Sequence, residues 1–517
     1  MEKMKMGMKT LPAIILLWFF GWFSSAQAQV SERGFLRIDP EHPQTFRYDN
    51  GERFFPMGET AYFLLGQSKD TIVRYIDSRQ ARKFNFIRIG AVGDGHWPFG
   101  GTPEKPVFTS INENSMQKLD WLFDYSESKG MNIELILWTY GAKGGNKMWG
   151  NSRYENFWID TLVNRYKNRK NLFMYTITNE FERYPDGVYS FSSSDVEWVK
   201  NIAQRIRSID PVHVIGAHPS HWISQIPPHN KFNTYNGFTQ KLPQVVWPLW
   251  ENSAINVYNV QNNQGVQKTY WGRCSDSKSG CAVYEPTEWQ GMNYPATWTR
   301  AGWDVEGAGM EDSIAEDWLH GRPVINTEFG YQYESGAEAS DPSFNTRQAN
   351  LPKTIRKKAW KIVTSGGYFA AGFVHTSVHF NAAKLHDWRP QQLEVLYDFF
   401  TRKTEFWKMA PRLELVADHN SCLALPGTEY VAYFPRGGTN RITLQAGKYS
   451  VEWLKPETGV YYQKGMIAVS EGDHRFTPPG DTRADWVLHV VGESRFRSHL
   501  RYLPPSTATS NFPVDVR

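Results

Sequence analysis

Two hydrophobic periods alternate along most of the chain. Short apolar runs bounded by turn residues read as strands at 54–58, 84–89, 133–138, 172–178, 212–217, 254–260, 323–327 and 368–375. Between them, apolar side chains recur at helical spacing over 70–83, 115–129, 157–169, 194–209, 353–364 and 391–408. Ile72, Val73, Tyr75 and Ile76 mark the inner side of the first helix. Met116, Leu119, Leu122 and Phe123 mark that of the second, and a Ser-Ser-Asp cap opens the fourth. Strands separated by helices build parallel βαβ units, and eight such units predict a (β/α)8 TIM barrel. A doubly wound sheet competes, but the glycine-rich turn expected after its first strand is missing.

Asn50-Gly51 between two alternating runs signals a hairpin ahead of the barrel. After Met409 the helical period stops. "EYVAYF", "RITLQ", "YSVEWL" and "DWVLHVV" are punctuated by "PRGGTN", "KPETG" and "PPGDTRA", which predicts a small antiparallel β-sandwich. The expected organisation is a leader at 1–28, a barrel with its hairpin at 29–410, the sandwich at 411–495 and a loosely held tail at 496–517. The stretch 261–321 is too long for a plain βα connection and holds Trp271, Trp289, Trp298 and Trp303. It reads as a wall of an active site, the alternative being packing against the barrel. Cys274 and Cys281 within it could close a small disulfide loop or stay free thiols, and Cys422 reads as a small apolar group.

Composition narrows the partner. Lys3, Lys5 and Lys9, an apolar run from Leu11 to Phe23 and a small-x-small site at Ser24–Ala28 make a signal peptide, cleaved after Ala28. The mature protein is therefore expected in the periplasm or outside the cell. No later run is long enough for a membrane helix, so no membrane partner is expected after cleavage. The formal net charge is +4, and it falls closer to neutral once the leader's lysines are gone, which argues against nucleic acid. Aromatics reach 15%, with 21 Trp, and flat rings on a nearly neutral chain suit the C–H faces of sugars. A large core could also account for them.

Two carboxylates stand where a barrel places its chemistry, at the C-terminal ends of strands. Glu180 follows the fourth strand in "FMYTITNEF", and Glu328 follows the seventh in "PVINTEFG". Charge beside an apolar strand is costly unless it faces a polar cleft. Strands four and seven lie nearly opposite in an eight-stranded ring, so the two side chains can meet across its mouth. Two carboxyls about 5–5.5 Å apart are the apparatus of a retaining glycosidase. A salt bridge at the barrel mouth is the plain alternative for either one. No Gly-x-Ser-x-Gly elbow, phosphate-cradling loop, nicotinamide fingerprint or zinc spacing occurs, so neither cofactor nor metal is expected.

The Asn-Glu after strand four and the Glu after strand seven resemble the clan A glycoside hydrolases, which are (β/α)8 retaining enzymes. The resemblance implies Glu180 as acid/base, Glu328 as nucleophile and Asn179 on the sugar 2-hydroxyl. It implies that Arg88 in "NFIRIG" keeps the nucleophile ionised and that Tyr258 in "INVYNV" donates to it, although "VYNVQNN" departs from the usual pattern. A closer likeness is to the apiosidase-like family. "FFPMGETAY" is similar to its first strand, with Glu59 where Asp is usual. "EYVAYFPRGG", "VEWLKPETG" and "FTPPGDTRADWVLHV" are similar to the small β-domain that follows such barrels and is labelled collagen-binding, though nothing in the sequence speaks of collagen. Apiose specificity does not transfer, because this pair is Glu/Glu.

Further substrate-binding candidates follow from position on the catalytic face. They are Glu59 after strand one, His96 and Trp97 in "GDGHWPFGG", Trp138 and Tyr140 after strand three, His218 after strand five and His375 after strand eight. Ordinary loop packing is the alternative for each, and His218 with His221 lacks a third metal ligand. The expected function is a secreted retaining glycoside hydrolase acting on an oligo- or polysaccharide. The alternatives are a non-catalytic carbohydrate-binding or adhesion protein and a uronic-acid lyase.

Overall fold

A computed structural model describes residues 32–93, 95–139, 145–181, 193–219, 249, 252–261, 310–329, 351–372, 392–417, 419–481 and 483–495. The expected leader, Cys274, Cys281, the four Trp of the long connection and the tail lie outside the described residues. The chain divides after Lys408 into two compact units.

The first unit is a closed barrel of eight parallel strands: β1 (Met57–Thr60), β2 (Phe86–Gly90), β3 (Asn132–Trp138), β4 (Leu172–Asn179), β5 (Val214–His218), β6 (Val257–Val260), β7 (Val324–Phe329) and β8 (Tyr368–Ala371). β8 pairs back onto β1 in parallel register, which closes the ring. Helices α1 (Lys69–Gln80), α2 (Glu113–Ser128), α3 (Ser152–Tyr166), α4 (Ser193–Ile209), α5 (Met310–Trp318), α6 (Leu351–Thr364) and α7 (Leu393–Lys403) cover it. Ser68, Asn112 and Asn151 start the first three, each accepting a backbone N–H at its third following residue. Their inner faces follow the 3–4 period, as with Trp158, Ile159, Leu162, Val163 and Tyr166 on α3.

The first strand begins three residues later than its apolar run suggested. Phe54 belongs instead to the predicted hairpin, whose Asn50-Gly51 turn sets Gly51 at φ +92°. Phe46 and Phe54 of this segment and Phe86, the first residue of β2, all meet Phe173, the second residue of β4, with ring centroids 5.0–5.4 Å apart. They form an aromatic floor at the N-terminal ends of the strands. Gly58 is required beside it, since a Cβ there would lie 2.4 Å from the Phe86 ring. Two elements escaped the sequence reading. A hairpin, Phe99–Gly101 with Pro106–Ile111, precedes α2. The end of the long 261–321 stretch is not loop but α5, which Glu311 ties to Lys361 of α6 by a buried ion pair at 3.2 Å.

The second unit is antiparallel. β9 (Ala410–Pro411), β10 (Ser421–Leu425), β11 (Glu429–Phe434), β12 (Asn440–Leu444), β13 (Gly447–Lys455), β14 (Val460–Val469), β15 (Gly472–Phe476) and β16 (Trp486–Gly492) divide unequally. Six form a sheet in the order β9-β10-β11-β16-β13-β14, and β12 pairs with β15 alone. Cys422, Tyr430, Trp453 and Trp486 of the larger sheet share a core with Ile442, Leu444 and Phe476 of the smaller. This is a lopsided sandwich, and Cys422 is a buried free thiol within it.

Candidate active site

The barrel interior is polar above its aromatic floor. Arg88, fully buried on β2, donates through Nε to Glu134 Oε1 of β3 at 2.9 Å. The same oxygen accepts from Thr176 Oγ1 of β4 at 2.6 Å and Asn259 Nδ2 of β6 at 3.2 Å. Burial pushes the Glu134 carboxyl up from its ordinary value, against the lowering pull of Arg88. Gly216 makes room, since a Cβ there would lie 2.9 Å from Asn259 Nδ2.

The other end of Arg88 reaches the strand ends. Nη2 donates to Asn179 Oδ1 at 2.8 Å, and Nη1 to Tyr62 Oη at 2.6 Å and Glu328 Oε1 at 3.3 Å. Tyr62 Oη in turn donates to Asn179 Oδ1 at 2.6 Å. With two donors on Oδ1, the amide orientation of Asn179 is fixed and Nδ2 is left to donate to a ligand. Gln261, just past β6, donates through Nε2 to Glu328 Oε2 at 2.5 Å. Both oxygens of Glu328 are therefore held, and its charge is balanced by Arg88.

His218 at the end of β5 joins the two acids. Its Nδ1 accepts the backbone N–H of Glu180 at 3.3 Å, and its Nε2 lies 3.9 Å from Glu328 Oε1. Glu180 and Glu328 are 7% and 3% exposed, and His218 is fully buried. Burial and then Arg88 push the imidazole well below its ordinary value, so it is neutral. Glu180 sits at φ +54°, a left-handed conformation that a residue with a Cβ rarely adopts.

The structure gathers Glu180, Glu328, Asn179, Arg88 and His218, and it removes several other candidates. Glu59 shares the outward side of the sheet with its register partner Ile87 and with Ile133 next to it, and there Arg79 of α1 pairs with it. It does not face the mouth. Tyr258 also points outward, between His320 and Arg322, because Asn259 takes the inward position. Gln261 holds the Glu328 carboxylate, the contact expected of Tyr258. His96 is buried with its ring nitrogens 3.1 and 3.0 Å from the Ala91 and Ser115 carbonyls, so it pins its loop to α2. Trp97 packs on Phe99 and Phe108, and Trp138 donates to Met148 Sδ while leaning on Trp198. These contacts hold each ring against its own neighbours. Tyr140 and His375 lie outside the described residues. Tyr62, Glu134 and Gln261 were missed. Glu134 was detectable as a lone charge inside the apolar run "NIELILW", and Gln261 as the residue two past the polar Asn259.

A closed parallel barrel carrying two buried carboxylates at opposing strand ends is the form of a glycoside hydrolase. The family model described as "Apiosidase-like, catalytic domain" matches residues 41–435, and the chain belongs to that family. A second model, "Putative collagen-binding domain of a collagenase", matches residues 414–491. Among solved structures, one described as a glycoside hydrolase is 17% identical, covers 90% of this chain and 98% of its own, and superposes with a TM-score of 0.63. A glycoside hydrolase family 5 protein from Bacteroides vulgatus ATCC 8482 is 16% identical over 90% of this chain and 94% of its own, also at 0.63. These likenesses establish the barrel fold. No curated protein matches the sequence.

Proposed function

We propose that this enzyme is a retaining glycoside hydrolase of oligo- or polysaccharides, exported by its N-terminal leader. The observation that carries the reading is the convergence of two buried glutamates on one buried imidazole, Glu180 through its backbone N–H at 3.3 Å and Glu328 through Oε1 at 3.9 Å. In the first step Glu180 gives its proton to the glycosidic oxygen. The C1–O bond breaks, its electron pair leaves with the departing alcohol, and a Glu328 oxygen bonds to C1. Arg88 and Gln261 hold Glu328 for in-line attack. In the second step Glu180 takes a proton from water, the water oxygen bonds to C1, and Glu328 departs as carboxylate. Asn179 Nδ2 supplies a donor to a sugar hydroxyl, a contact of the kind that strengthens in the transition state.

A panel of aryl glycosides and of plant, algal and host polysaccharides identifies the sugar. With that substrate, Glu180→Gln and Glu328→Gln each lose nearly all turnover while remaining folded. Azide restores activity to Glu328→Gly and gives the glycosyl azide with inverted configuration. Retained turnover in either Gln variant refutes the reading.

A further inference from the structure

We propose that His218 is the positioning residue of the acid/base: its Nδ1 accepts the Glu180 N–H to lock that residue's left-handed backbone, while its Nε2–H is aimed at Glu328. The proposal rests on the assignment of Glu180 as acid/base given above.

A backbone N–H can only donate, so the 3.3 Å contact makes Nδ1 the acceptor. The ring proton of a neutral imidazole then sits on Nε2. That atom is buried and makes no hydrogen bond among the described residues, where a nearby acceptor is Glu328 Oε1 at 3.9 Å. Burial and Arg88 keep the ring neutral, so the tautomer persists at working pH. Glu180 needs such a lock. At φ +54° a residue with a side chain is held against a local conformational cost. Without the acceptor, its backbone can relax toward the favoured region, and the carboxyl swings with it. Among the described residues, the groups facing the imidazole are Asn179 of β4, Glu180 just past it, Arg88 of β2 and Glu328 of β7.

The two ring nitrogens can be separated by substitution. In His218→Asn, Oδ1 replaces Nδ1 and still accepts, while the Nε2 donor is lost. In His218→Gln, the terminal amide replaces Nε2 and the acceptor is lost. The probes are the 2,4-dinitrophenyl and 4-methylphenyl glycosides of the sugar turned over fastest in the panel. The dinitrophenolate leaves without a proton, and the methylphenolate needs one. His218→Gln is expected to lose at least tenfold more kcat/KM on the methylphenyl than on the dinitrophenyl glycoside. His218→Asn is expected to keep the wild-type ratio. Equal losses on both probes in both variants, the mark of a purely structural role, overturn the proposal. A neutron structure at pH 7 tests it without turnover: deuterium on Nε2 and none on Nδ1 is expected, and the reverse overturns it. If no glycoside is cleaved, the functional reading fails, and the neutron result still decides the placement of the lock.

Discussion

Arg88 is the one cation shown between Glu134 and Glu328 among the described residues, which makes Arg88→Met the most informative perturbation. Methionine fills much of the stem's volume but takes the guanidinium charge away from two buried carboxylates. Removing one partner of a buried pair costs about 3–5 kcal/mol. The penalty is limited because Glu134, already pushed up by burial, rises further and takes a proton. A carboxyl raised in the folded state binds more protons than its unfolded counterpart, so the deficit grows as pH rises above about 4.5 and shrinks toward it. Glu134→Gln removes the stranded charge while keeping an acceptor for Thr176. The double variant should therefore recover part of the loss, with a coupling of about 2–3 kcal/mol, at the upper end for residues in contact. Urea titrations of the four proteins at pH 7 and pH 5, followed by tryptophan fluorescence, measure it. Additivity within about 0.5 kcal/mol would show that the two groups are independent and refute the ion pair as described.

Gln261→Leu removes one donor from Glu328, and a hydrogen bond to a charged group is worth about 1.5–3 kcal/mol, so kcat/KM should fall roughly 10- to 150-fold with the fold intact. Unchanged kcat/KM would sink that contact. Glu59→Gln removes the carboxylate charge that Arg79 pairs with on the barrel's outer face and should cost up to about 3–5 kcal/mol of stability, with turnover per folded molecule unchanged. Lost turnover at full stability would place Glu59 in the mouth after all. His218 stays neutral when folded but protonates below about pH 6.5 when unfolded, so stability should fall on acidification by about 1.4 kcal/mol per pH unit from this group. His218→Gln should lack that slope between pH 6.5 and 5, and parallel profiles for the two proteins would contradict the burial.

The barrel was legible because its strands are short, largely apolar runs and its helices are apolar on one side at a 3–4 spacing, two signals that differ in length and period. Glu180 and Glu328 were legible for the complementary reason: each is a charge placed directly after an apolar strand. What the sequence hid was side-chain direction. A strand's period is 2, so a boundary misplaced by one residue exchanges inside for outside. That is how Glu59 was read into the mouth when its register partner Ile87 shows it facing α1. Tyr258 came from a motif likeness, which carries no register, and the inward position belongs to Asn259 one residue on. Register depends on pairing between strands far apart in sequence, which no local pattern carries. The α5 helix was hidden for a different reason. Its inner face mixes Met310 and Ile314 with buried Glu311 and Asp317, so its apolar period is diluted.

The polar interior can be understood through what it orients. A buried ion pair is weak evidence for stability, since apolar packing of equal volume often does as well or better. Arg88, Glu134, Thr176 and Asn259 thus need a reason other than stability to occupy the centre of a barrel. Glu134 accepts from three strands at once, which fixes the Arg88 Nε edge on a rigid frame. A guanidinium is planar, so fixing one edge fixes the other, and that other edge is the one holding Tyr62, Asn179 and Glu328. The orientation of the strand-end groups is thereby set by contacts made one layer deeper, away from any substrate. A lysine at 88 could neutralise Glu328 as a point charge but could not transmit that frame. Arg88→Lys should accordingly lose more turnover than stability, the opposite balance from Glu59→Gln.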